Sequence, residues 1–164
     1  MKTKGFLVLA TILSTFSLMA GCADSGENTS EKENVHGVIT QTFFAIQNQD
    51  WETMRRLISE DWLLFTDVGS KWNLQEMQRF FKDHMSDHRI GLSNITIQIS
   101  RDGTMAWAKF DEGTEYKFDG SPMQQKAIFT AVFEKRNDAW IMVHLHRSTP
   151  HQPSNATTSI LKAN

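Results

Sequence analysis

The chain has 164 residues, with 17 Lys or Arg against 19 Asp or Glu, a formal net charge of −2, and a single cysteine, Cys22. One thiol excludes an intrachain disulfide, and a slightly acidic chain without a basic run is excluded as a binder of the nucleic-acid backbone. The length suffices for one domain with a buried core.

Lys2 and Lys4 precede the apolar run GFLVLATILSTFSLMA, and Gly21 and Cys22 follow it. A basic start, an apolar stretch and small residues before a cleavage point read as an export signal over residues 1–21. The run is too short and wrongly flanked for a permanent membrane span. LMAGC resembles the bacterial lipobox, with Met19 where that motif usually has leucine. On that resemblance Cys22 is the lipidated first residue of the mature protein, and its palmitate-type chains anchor it in the bacterial cell envelope. Ala23, rather than aspartate, resembles the pattern sorted to the outer membrane in a Gram-negative source. The alternative is an ordinary secretory signal with an incidental cysteine.

Removal of residues 1–21 takes Lys2 and Lys4 and no acid, so 15 basic residues then face 19 acidic ones. Residues 22–33, polar after the cysteine, read as a lipid-anchored flexible tether. Residues 34–150 read as one domain, and the turn-rich stretch 151–164 as a polar tail.

Within the domain, Val35, Val38, Ile39, Thr42, Phe43 and Ile46 recur at helical spacing. Asp50 can cap a second, short helix carrying Trp51, Met54, Leu57 and Ile58 inward. WLLFTDVGS reads as a short strand. Asn73 with Glu76 has the form of a capping box opening a third helix, with Leu74, Met77, Phe80, Phe81 and Met85 on one side. The period then changes: Ile95, Ile97 and Ile99 alternate with polar residues, and three further strands follow, over 104–118, 123–134 and 139–148, joined by turn signals. Helices first and hairpin-linked strands after predict an α+β domain with the helices on one face of an antiparallel sheet.

This order of elements resembles the nuclear transport factor 2-like superfamily, which includes the SnoaL-like proteins. The closing stretch WIMVHLHRS, Trp140 to Ser148, looks like the last strand of the calmodulin-dependent kinase II association domain and its bacterial relatives. Weaker likeness runs through FFAIQNQDWETMRRLISED and NLQEMQRFF, and no kinase is present. The resemblance implies a cone-shaped fold, a curved antiparallel sheet around the N-terminal helices, with a small-molecule pocket inside. It also implies that Arg147 lines that pocket and helps hold small carboxylates. A second pocket arginine of the family falls at Lys109, which keeps the charge and loses the bidentate fork. A third falls near Ala131 and is absent.

Strict alternation along the last strand puts Ile141, Val143, Leu145 and Arg147 on one face and Trp140, Met142, His144 and His146 on the other. The first set is expected to line the pocket, Val143 and Leu145 forming an apolar wall beside Arg147, with Trp107 and Lys109 joining from the strand over 104–118. The second set is expected to form a homodimer interface, joined by Ala106, Ala108 and Phe110 and by Ile128, Thr130 and Val132. The plainer alternatives are an edge arginine paired with Glu60 or Asp61, and a lysine paired with Asp111 or Glu134.

His144 with His146, and His84 with His88, have spacings that two metal ligands can use, but no cysteine or well-placed acid completes a set, so neither a metal nor a cofactor is expected. No nucleophile elbow, phosphate loop or zinc-protease motif is present. Asp67, Asp111 and Tyr116 are the candidates for acid–base work, with Asp111 the one expected to face inward. The leading expectation is a lipid-anchored binding domain for a small ligand, such as a carboxylate. The alternative is an enzyme of the isomerase, dehydratase or hydrolase kind, and the sequence commits to no catalysis.

Overall fold

The computed structural model describes residues 24–150. Three helices, α1 (Asp24–Gln47), α2 (Trp51–Leu57) and α3 (Leu74–His84), pack on one face of a six-stranded sheet. Its strands are β1 (Ile58–Thr66), β2 (Lys71–Trp72), β3 (Met85–Ile99), β4 (Met105–Phe118), β5 (Ser121–Arg136) and β6 (Ala139–Ser148). Their order is β2-β1-β6-β5-β4-β3. All pairings are antiparallel except β1 with β6, which run parallel.

Local chemistry sets the element ends. Asp50 Oδ1 accepts from Thr53 N–H at 3.0 Å and starts α2. The capping box of α3 is complete: Asn73 Oδ1 accepts from Glu76 N–H at 2.9 Å, and Glu76 Oε2 accepts from Asn73 N–H at 2.8 Å. β4 and β5 are joined by Asp119 and Gly120, and β5 and β6 by Asn137 and Asp138. All four have positive φ, as a two-residue turn matched to the twist of its strands requires.

α1 lies along the sheet on the stripe Val35, Val38, Ile39, Thr42, Phe43 and Ile46, all buried. The sheet meets it with small residues, Ala106, Ala108 and Ala131, and with Phe110 and Phe129. Phe43 sits edge-on to both phenylalanines, with ring centroids 5.3 and 5.1 Å apart. Alanines under the helix let the two backbones approach while the aromatic rings fill the remaining space.

This packing reverses the expected sense of β4. Ala106, Ala108, Phe110 and Glu112 face the helices, so Trp107, Lys109 and Asp111 lie on the outer face and do not line a pocket. β6 departs from the expectation for another reason. Val132 pairs with His144 and Phe133 with Met142, so Val143 is an extra residue, a β-bulge. The bulge changes the facing of the strand partway along. Trp140 and Met142 are buried in the core, at 4% and 0% exposure, and are not available as an interface. Beyond the bulge Leu145 and Arg147 face inward and His144 and His146 outward. Val143 itself does not line the cavity.

The expected tether is also corrected, because α1 is helical from Asp24. Its N-terminal part is fastened by Glu31, whose Oε1 accepts from Lys135 Nζ at 2.8 Å and whose Oε2 accepts from Trp140 Nε1–H at 2.6 Å. These two hydrogen bonds hold the Glu31 carboxyl below its ordinary range. Cys22, the expected export signal and the expected tail from residue 151 lie outside the described residues.

Replacing Glu31 by Ala strands the indole N–H of Trp140 in a mostly covered site, and a buried donor left unpaired costs about 1–3 kcal/mol. Urea denaturation of Glu31→Ala should show that loss, with Glu31→Gln intermediate because its amide oxygen still accepts from Trp140. An unchanged midpoint would mean that this clasp does not fasten α1.

Candidate functional site

Between the helices and the far end of the sheet lies a cavity of about 270 Å³. Its roof is apolar, built by Phe43 and Ile46 of α1 and Met77, Phe80 and Phe81 of α3. Its sheet wall is mixed. Leu64, Phe129 and Leu145 are apolar, whereas Glu112, Thr114 and Tyr116 of β4, Gln125 of β5, Arg147 of β6 and His88 of β3 are polar.

Period-two alternation places the β4 residues, since positions 112, 114 and 116 continue the inward series begun at Ala106. Thr114 pairs with Gln125 across the β4–β5 ladder, and Arg147 pairs with Phe129 across β5–β6. Arg147 Nη2 donates to Gln125 Oε1 at 2.9 Å and Nη1 to Thr149 Oγ1 at 3.2 Å. Tyr116 O–H donates to the same Gln125 oxygen at 3.2 Å. Among the described residues no carboxylate pairs with Arg147. The guanidinium is therefore oriented by neutral acceptors, while its charge acts at longer range on Asp67 and Glu112.

Glu112 is the acid that sequence reasoning missed. It is only 8% exposed, and burial pushes its carboxyl above the ordinary 4.5, partly opposed by the charge of Arg147. Its signal in the sequence was its parity with Ala108 and Phe110, hidden by the choice of bulky Trp107 as the inward residue. His88, singled out in the sequence only for its spacing from His84, also lines the cavity. Its ring stacks between Phe81 and Tyr116, at 4.9 and 5.9 Å. Burial lowers its pKa, against the raising effect of Asp87, so its neutral form is favoured. Its Nε2 is buried without a hydrogen-bond partner among the described residues.

The remaining candidates are dispersed. Asp111, on the outer face, accepts from Asn94 Nδ2–H at 2.6 Å. Asp67, beyond the end of β1, accepts from Thr149 N–H at 2.9 Å, and hydrogen bonding from Thr149 lowers its pKa, which ill suits a general base. Tyr116 does line the cavity. α3 ends at His84, so His84 and His88 do not share a helix face; His84 Nδ1 instead lies 2.9 Å from Asp119 Oδ1. On the outer face His144 packs against Phe65, ring centroids 5.2 Å apart, and burial lowers its pKa, with a further contribution from His146.

The family model of the SnoaL-like domain matches residues 35–152. No curated protein sequence matches the chain. Among solved structures, the CaMKII association domain of C. elegans superposes with a TM-score of 0.63 at 23% identity, over 75% of this chain and 98% of that one. A nuclear transport factor 2-like superfamily protein of Salmonella enterica gives 0.67 at 18% identity, over 79% and 98%. A similar protein of Cytophaga hutchinsonii gives 0.64 at 13%, over 72% and 97%. At these identities the likeness is one of fold.

Glu112 has a consequence for stability. Because its folded-state pKa is raised, the unfolded chain ionises first, and stability is lost as pH rises from about 4.5 through the folded value. Glu112→Gln removes this loss. Its thermal midpoint should exceed that of the wild type at neutral and alkaline pH and match it near pH 4. Parallel melting curves at all pH values would contradict the buried, protonatable state.

Proposed function

The chain belongs to the family of SnoaL-like domains, and on that premise we propose that it is a lipid-anchored binding protein of the bacterial cell envelope whose cavity takes a small, largely apolar molecule carrying one carboxylate. The observation that carries this reading is Arg147, a guanidinium without an ion-pair partner among the described residues, set in the polar wall of a cavity roofed by apolar side chains. A cavity of about 270 Å³ suits a single substituted ring. A charge-assisted hydrogen bond there contributes about 1.5–3 kcal/mol.

The envelope location rests on Cys22 at the end of LMAGC. With α1 helical from Asp24, an acylated Cys22 would leave almost no spacer between lipid and domain. In a Gram-negative source the outer membrane is the destination.

The partner of the outer sheet face is a second copy of this chain. Trp107, Val132, His144 and Leu63 are register partners on four adjacent strands and form one largely apolar row. Trp107 and Ile128 remain 41% and 40% exposed. A two-fold axis would lay that row against itself. The name of the C. elegans structure, an association domain, supports the same use.

A second reading, an acid–base enzyme of the isomerase, dehydratase or hydrolase kind, is favoured by Nε2 of His88, buried without a hydrogen-bond partner among the described residues. Asp111 has no part in it, being on the outer face.

Three measurements test these readings. In a thermal-shift screen of aromatic monocarboxylates, the wild type should be stabilised, and Arg147→Ala should bind the same compounds roughly tenfold or more weakly. Hits that bind equally well without the arginine would remove the carboxylate reading, and turnover of a hit that is lost in His88→Ala would establish the enzyme. Cys22→Ser should leave the precursor unprocessed or release the protein from membranes; unchanged maturation and partitioning would remove the anchor. Light scattering of the detergent-solubilised chain should show a dimer that Trp107→Glu breaks and that loosens at acidic pH as His144, whose pKa burial holds below its ordinary value, takes up a proton. A monomeric wild type at neutral pH would sink the interface.

A further inference from the structure

Glu112 has no hydrogen-bond partner for its carboxyl among the described residues, yet it is buried. Such a group is costly unless something in the cavity satisfies it or it remains protonated. The sheet register shows what lies in front of it. Glu112 on β4 pairs with Ala127 on β5, and Arg147 on β6 pairs with Phe129, the next inward residue of β5. Arg147 reaches along β5 to Gln125, so its side chain passes the level of Ala127. Glu112 and Arg147 therefore sit two strands apart and two residues out of level on the same inner face, with their backbones about 12 Å apart by strand spacing and rise and Ala127 between them. They are near enough for the charge of Arg147 to act on Glu112, and they do not form an ion pair.

We propose that Glu112 meets the ligand's carboxylate as a protonated hydrogen-bond donor opposite Arg147, so that the cavity takes up one proton from solvent together with its anion. The inference rests on the Arg147 reading of the cavity and adds a second recognition group to it. A protonated carboxyl is a donor, and a carboxylate that accepts from both an O–H and a guanidinium is held by two charge-assisted bonds. An ionised Glu112 in the same place would repel the ligand. Arg147 then confers selection for an anion, and Glu112 confers selection for an anion that arrives with a proton.

The other charged or titratable groups near this point are few. Arg147 faces Glu112 from β6 and favours its ionisation. Asp67 lies beyond Arg147, from the loop after β1. His88 of β3 and Tyr116 of β4 stand farther along the wall, His88 stacked on Tyr116. α1 and α3 present Phe43, Ile46, Met77, Phe80 and Phe81 to the cavity, none of them titratable. A ligand anion placed between Glu112 and Arg147 offsets the opposing effect of the arginine and strengthens the hold of Glu112 on its proton.

The test is isothermal titration calorimetry of the detergent-solubilised full chain with phenylacetate, from about pH 5.5 to 8.5, a range in which the probe stays ionised. The expected result for the wild type is an affinity that falls about tenfold per pH unit above the Glu112 transition. Titrations in phosphate and in Tris, whose ionisation enthalpies differ, should report uptake of about one proton per phenylacetate in that same range above the transition, and none well below it, where Glu112 already carries its proton. Glu112→Gln, still a donor but without a titrating proton, should keep the low-pH affinity across the range and take up no proton. A wild type that binds with Arg147-dependent affinity and no proton uptake would overturn this proposal and leave the Arg147 reading standing. A pH dependence unchanged in Glu112→Gln would also overturn it and assign the proton to another group. Failure of phenylacetate to bind the wild type at any pH would overturn both.

Discussion

Trp140 and Met142 enter the core at one end of β6, and Leu145 and Arg147 enter the cavity at the other. Residues of opposite parity can share a face of a strand only if an odd number of residues is inserted between them, and Val143 is that insertion. Without the bulge, a strand that buries Trp140 and Met142 would carry Arg147 to the outer face and His146 into the cavity. The cation of the site and the hydrophobic end of the sheet thus depend on one irregular residue.

The inner face of the sheet grades from apolar to polar along its length. Near the start of β4 it offers Ala106, Ala108 and Phe110, which receive α1; farther along it offers Glu112, Thr114 and Tyr116, which α1 does not cover. The end of α1 is fastened to β3, where Gln47 Oε1 accepts from Ile90 N–H at 2.7 Å, at the level of Thr114. The cavity is the part of the cone that the first helix is too short to fill. α3 roofs it with aromatic side chains, so the space stays walled by apolar groups while its floor carries donors and acceptors.

The two ends of α1 therefore serve different purposes. Glu31 ties the N-terminal part to the β5–β6 hairpin, and Phe43 and Ile46 border the cavity roughly 20 Å farther along the helix. Any attachment that precedes Asp24 meets the domain at the clasped end, with the cavity toward the opposite end. The aromatic stacks His88–Phe81 and His88–Tyr116 link β3, α3 and β4 at the cavity end and leave Nε2 of His88 buried without a hydrogen-bond partner among the described residues.

By itself the sequence determined the class of the fold, because that information is local. Helical spacing from Val35 to Ile46, the Asn73–Glu76 box, the isoleucine alternation in β3 and the two-residue turns at Asp119 and Asn137 each follow from neighbours in the chain. The last strand and Arg147 were legible through a resemblance of sequence rather than through spacing. Which face of each strand turns inward was decided only by tertiary structure. Trp107 outranks Ala108 in hydrophobicity, but α1 needs the small residue beneath it, and close packing decided the parity. A bulge leaves no mark in the composition of WIMVHLHRS, since Val143 is as good a strand residue as its neighbours. Once these two choices are made, Glu112 follows into the cavity and Lys109, Trp107 and Asp111 out of it, because a one-residue change of register moves every side chain of a strand to the other face.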